Sequence, residues 1–144
     1  MTNVRQILET KGHEVWSVSA EATVYDALKV MSEKNVGALV VLDGGRLEGV
    51  ISERDYARKV ILKGKFSQEM PVREIMSTDV VTVLPNQSIE ECMALMTNKR
   101  VRHLPVLEGD KLLGVISIGD VVKAIISEQE FTIKQLENYI TGAR

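Results

Sequence analysis

The chain has 144 residues, 44% of them hydrophobic and 26% charged, with eighteen basic residues against twenty acidic ones. That is enough to bury a core without disulfides or structural metals, and no apolar run approaches the ~18 residues that cross a bilayer. A net charge of −2 and an aromatic content of 4% lack both the basic excess and the stacking platforms of a nucleic-acid binder.

Residues 1–14 predict an N-terminal helix, read from NVRQILET (3–10), with no basic-plus-apolar leader pattern. Residues 15–64 form a first unit. Val24, Ala27, Leu28 and Met31 recur at helical spacing behind a Thr23/Asp26 capping pair. GALVVL (37–42), DGGR and LEGVIS (47–52) then read as strand, turn and strand, and a second helix opens at Ser52 with ERDYARKVIL. The stretch 65–79 reads as a polar linker whose Pro71 suits the first turn of a short helix ending near Met76.

Residues 80–127 repeat the first unit. Shifting the sequence by 65 positions superposes 15–60 on 80–125 without a gap, with 15 identities in 46 pairs. The matching helix carries Ile89, Cys92, Met93 and Met96 behind Ser88/Glu91, the hairpin is RHLPVL-EGDK-LLGVIS, and a last helix opens at Ser117. Each unit thus reads strand, helix, strand, strand, helix, an α+β arrangement too small to be stable alone, so the two are expected to pack through their sheets. Residues 128–144 predict a C-terminal helix whose Phe131, Ile133, Leu136 and Ile140 could cover the core or a second subunit.

No nucleophile with a neighbouring base, no metal-ligand spacing around His13 or His103 and no phosphate loop is present, which points to recognition and away from catalysis. Cys92, the only cysteine, sits on an apolar helix face and reads as a buried inert thiol; with no disulfide possible, a cytoplasmic setting is expected.

The duplicated G-V-I-S-x-x-D (49–55 and 114–120), the strands GALVVL and RHLPVL before it, and the linker VREIMSTDVVTV (72–83) resemble the tandem cystathionine-β-synthase (CBS) domain pair, or Bateman module. The resemblance implies a stand-alone regulatory module, commonly a head-to-head homodimer, that binds AMP, ADP, ATP, NAD(H) or S-adenosylmethionine in clefts between its repeats. It uses no catalytic cofactor and passes the bound state to an effector protein; neither nucleic acid nor membrane is an expected partner. With both repeats and the tails placed, output is expected to pass to another chain.

Carried over, one basic cleft combines Ser52, Arg54, Asp55 and Arg58 with the backbone of Val80 and Val81 and with Arg102 and His103. The second combines Ser117 and Asp120 with the backbone near Trp16 and with Gly37 and Ala38. Other uses of these residues stay open. Ser52/Asp55 and Ser117/Asp120 have capping-box spacing, Arg54 and Arg58 could be a solvated helix face, Arg102 and His103 could alternate at a strand start, and the Trp16 ring suits a core. A ligand-independent dimerising scaffold is the alternative function.

Overall fold

The structure is a computed structural model that describes residues 2–142. In chain order the elements are α1 (Val4–Lys11), β1 (Ser17–Val18), α2 (Val24–Lys34), β2 (Ala38–Asp43), β3 (Arg46–Ser52), α3 (Glu53–Lys59), α4 (Ile89–Lys99), β4 (His103–Glu108), β5 (Lys111–Ser117) and α5 (Ile118–Thr141). Short 3-10 turns cover Ile61–Lys63 and Val72–Glu74. Two compact units result among the described residues, one from residues 14–80 with 109–112, the other from 2–13, 81–108 and 113–142.

In the first of these units β1 runs parallel to β2, which pairs antiparallel with β3 through the Gly44–Gly45 turn. Both turn glycines have positive φ (58° and 85°), the geometry that a two-residue hairpin turn requires. The expected helix face is in place, since Val24, Ala27 and Met31 are buried with Leu39, Val41, Ile51 and Val60. Thr23 caps α2 by accepting from the Asp26 N–H at 3.1 Å, which is half of the expected capping box. Pro71 stands just before the turn and not within it, the turn ends at Glu74 and not near Met76, and the segment is more than a linker: Met70, Val72 and Ile75 are part of this core.

In the other unit β4 pairs with β5, and α4 buries Ile89, Cys92 and Met96 against Leu104, Val106, Ile116 and Val121. The Ser88/Glu91 capping box is complete. The first strand expected in this unit shrinks to one parallel bridge, Val83 to Val106. The N-terminal helix joins this core through Val4, Ile7 and Leu8, although it precedes the other repeat in the chain.

The two lead-in segments are themselves a repeat, offset by 68 instead of 65: Val4-Arg5-Gln6-Ile7 matches Val72-Arg73-Glu74-Ile75. Their hydrogen bonds match too. Val4 N donates to Gln87 O and Arg5 N to Pro85 O, as Val72 N does to Ala22 O and Arg73 N to Ala20 O, all at 2.8–3.0 Å.

These segments explain the glycine of G-V-I-S. A Cβ on Gly49 would stand 2.7 Å from the Ser77 carbonyl oxygen, and one on Gly114 would stand 2.8 Å from Leu8 Cδ2. Gly49 and Gly114 are what let the lead-in chain cross the hairpin closely.

The last helix departs from expectation in extent. The helix predicted from Ser117 and the one predicted at 128–144 are a single 24-residue helix ending at Thr141, with Gly142 as its left-handed cap; residues 143–144 lie outside the described residues. Val121 anchors its first turns in the core, with Ala124 and Ile125 packed beside it. Beyond Ser127 its apolar side chains are exposed, so the stripe does not pack on its own unit.

Candidate functional site

Each hairpin ends on a serine that caps the following helix. Ser52 Oγ accepts from the Asp55 N–H at 3.2 Å, while Asp55 Oδ2 accepts from the Ser52 N–H at 2.9 Å and its hydroxyl at 3.1 Å. Ser117 and Asp120 repeat the geometry, with backbone donors at 3.2 Å and 2.8 Å. The capping role of these residues is therefore real, and each aspartate is fixed as an acceptor at the foot of its helix.

Around Asp55 the structure gathers Gly37 and Ala38, the other end of the same hairpin. Ala38 pairs with Ser52 across β2 and β3, and Gly37 O accepts from Glu53 N at 3.0 Å. Lys59, four residues along α3, holds Asp55 Oδ1 at 3.2 Å and donates to Ile75 O at 2.9 Å. Arg54 and Arg58 are exposed on α3.

Trp16 is half-buried, its ring capped by Lys34 Nζ at 4.4 Å from the centroid. Its carbonyl accepts from Val40 N at 3.3 Å, which commits that group to the sheet. Val80 and Val81 are half-buried and belong to no strand.

Around Asp120 the neighbours are more basic. Lys11, at the end of α1, donates to Asp120 Oδ2 at 2.5 Å and to Val115 O at 2.7 Å. Arg102 is exposed and His103 half-buried at the start of β4, where Arg102 O accepts from Ile118 N at 2.9 Å. Burial opposes ionisation of Asp120, but hydrogen bonds from Lys11 and the Ser117 N–H outweigh it and hold the carboxyl below its ordinary value. His103 is also held down, by burial first and then by Lys11 and Arg102, with Asp120 pulling the other way. At neutral pH the site thus presents an ionised carboxylate, a neutral imidazole, the Lys11 ammonium held by Asp120 and Val115 O, and the exposed Arg102 guanidinium.

The two lysines were missed in the sequence. Lys59 could have been found from its i+4 spacing to Asp55. Lys11 lies 109 residues from Asp120 and takes the place that Lys59 fills in the other unit, since the residue equivalent to Lys59 is Ala124. Cys92 is buried, and desolvation, then Glu91 and Glu90, push its thiol up to about 11. Among the described residues no cluster of His, Cys, Asp or Glu could hold a metal ion, and no helix is long and apolar enough to cross a membrane. An open hollow of about 350 Å³ at Gly64–Phe66, Glu69, Met70 and Glu74 includes none of the expected site residues.

The sequence pattern of the CBS domain matches the chain twice, at residues 4–62 and 72–127. The chain belongs to the CBS-domain family. Each matched CBS segment begins at a lead-in Val-Arg, at Val4 and at Val72.

The chain is 39% identical to the mitochondrial CBS domain-containing protein CBSX3 of Arabidopsis thaliana, over 98% of this chain and 73% of that one. It is 35% identical to CBS domain-containing protein YhcV of Bacillus subtilis, over 84% of each. Among solved structures, a protein with CBS domains from Burkholderia ambifaria MC40-6 superposes with a TM-score of 0.85 at 52% identity, covering 89% of this chain and 96% of that one. The CBS family is one of regulatory modules, and the α+β fold of two repeats with flanking helices is the fold of these relatives.

Proposed function

We propose that this CBS-domain protein senses an adenosine-containing ligand, AMP, ADP, ATP or NAD(H) before S-adenosylmethionine, and passes the bound state to an effector protein without catalysing a reaction. The observation that carries the reading is the setting of Asp120. An ionised, partly buried carboxylate stands at the N-terminus of a long helix, held by Ser117 and Lys11, with Arg102 and His103 at the adjoining strand start. A carboxylate so fixed is suited to accept from the vicinal hydroxyls of a ribose, while the helix N-terminus and the flanking cations favour a phosphate. Asp55, Ser52, Arg54 and Arg58 offer the ribose contact and charge of a second site.

Calorimetry with AMP, ATP, NAD and S-adenosylmethionine tests this directly. Asp120→Ala and Asp55→Ala should each remove one binding event, and unchanged stoichiometry and affinity in both variants would refute the roles.

A second reading concerns which aspartate the Arg102–His103 pair serves. The family pattern assigns the pair to the Ser52/Asp55 ligand, whereas the fields of Lys11, Arg102 and Asp120 on His103 favour the Asp120 ligand. A double-mutant cycle of Arg102→Ala with each aspartate variant decides it, because coupled residues give non-additive losses.

A further inference from the structure

The two aspartates at the helix starts differ in how much of each carboxylate is already engaged. A carboxylate offers about four acceptor positions, two on each oxygen. Asp55 Oδ2 accepts from the Ser52 N–H and hydroxyl, and Asp55 Oδ1 is paired with Lys59 Nζ at 3.2 Å. Asp120 Oδ2 accepts from the Ser117 N–H and from Lys11 Nζ, and among the described residues Asp120 Oδ1 has no donor. The Asp120 side chain is also the more open, 24% exposed against 15% for Asp55. The two adjacent hydroxyls of a ribose therefore find a whole oxygen vacant at Asp120. At Asp55 they find one position, beside an ammonium.

Neither lysine swings freely, because each is held from a second side: Lys59 Nζ donates to Ile75 O at 2.9 Å and Lys11 Nζ to Val115 O at 2.7 Å. The bonds from Ser52 to Asp55 Oδ2 belong to the cap of α3, whereas the Lys59 side chain is 42% exposed and is rehydrated when it leaves. Lys59 is thus the donor that a ribose displaces at least cost. We infer that Lys59 is a built-in competitor for the ligand at Asp55, so that adenosine-containing ligands fill the Asp120 site first and reach Asp55 only by displacing Lys59 from Oδ1. The inference rests on both aspartates receiving a ribose. Displacement also takes the ammonium off Ile75 O, so filling Asp55 disturbs the lead-in segment of its own unit, while filling Asp120 leaves Lys11 in place.

Calorimetry with AMP as the probe tests it. The wild-type chain should show two unequal binding events, the tighter lost in Asp120→Ala and the weaker in Asp55→Ala. Lys59→Met should strengthen the weaker event about fivefold, the worth of an exposed ion pair, and adding Asp55→Ala should abolish the gain. Removing a cation does not by itself draw in a phosphate, so a gain reports displacement. An i,i+4 pair that served only to stabilise α3 would give the opposite sign, since its loss weakens the helix that carries Asp55. Lys11→Met should bring no gain at Asp120, where an oxygen is already vacant. A tighter event lost in Asp55→Ala, no gain or a loss in Lys59→Met, or an equal gain in Lys11→Met overturns the competitor role and leaves the ribose role of the aspartates standing. No AMP binding by the wild-type chain overturns both.

Discussion

Gly49→Ala and Gly114→Ala make equivalent changes at equivalent positions of the two repeats, and the structure predicts unequal costs. The new Cβ at 49 meets a backbone oxygen, Ser77 O at 2.7 Å, and also Met76 Sδ at 3.1 Å. Relief requires the 76–77 backbone to retreat by about half an ångström. That movement strains the two bonds that bridge it to β3, Val50 N to Ser77 O at 3.0 Å and Ser77 N to Val50 O at 2.9 Å. Overpacking costs about 1–3 kcal/mol and weakening two hydrogen bonds adds about 1 kcal/mol, so the expected loss is about 3 kcal/mol.

At 114 the Cβ meets only Leu8 Cδ2, the far end of a side chain that can change rotamer, and about 1 kcal/mol is expected there. The unfolded-chain gain from replacing glycine is common to both variants and cancels in the comparison. Urea unfolding followed by circular dichroism measures both. A Gly114→Ala loss equal to or larger than that of Gly49→Ala would refute the argument that the lead-in backbone is what forbids a side chain at 49.

Other expectations follow from the same contacts. Leu8→Ala should cost about 2–5 kcal/mol, because Leu8 is buried in the core of the unit that contains α4 and β4, and a tail merely lying on the surface would cost far less. Lys11→Met should raise the pKa of both Asp120 and His103 in NMR titrations, since Lys11 lowers each; unmoved values would contradict the ion pair.

Both groups bind a proton less readily in the fold than in the unfolded chain. Their stabilisation is therefore present above the ordinary values of 3.8 and 6.5 and is lost as pH falls through the lower folded ones, and Lys11→Met should flatten that acid limb. Arg100 holds a left-handed conformation at φ 55°, so Arg100→Gly should stabilise the chain by up to about 1 kcal/mol in urea unfolding, and a loss would contradict this. Cys92 should stay unreactive to thiol reagents at pH 8 until the chain unfolds, given a pKa near 11.

What could be read in advance was local. The capping pairs at Ser52, Ser88 and Ser117, the hairpin turns and the apolar helix faces depend on residues within a turn or two of one another, and they form as expected. The longer-range features escaped. The VRQI and VREI segments align only after a three-residue shift, so a gapless comparison at 65 hides them, and nothing in α1 itself says that Leu8 packs beside Gly114. The Asp120 site depended on the same step, because Lys11 reaches it only once α1 is docked. The boundary expected in the last helix failed for a different reason. No glycine or proline interrupts 120–141, so nothing stops the helix at residue 127.

Ligand binding at the Ser-x-x-Asp helix starts is the central claim, and thermal unfolding of the purified chain with millimolar AMP, ATP, NAD or S-adenosylmethionine tests it most directly. A ligand at about a hundred times its dissociation constant stabilises the native state by about 2.7 kcal/mol. At least one should give a saturable rise in Tm that disappears in Asp55→Ala/Asp120→Ala. No rise with any of the four, or an equal rise in that double variant, would contradict the account.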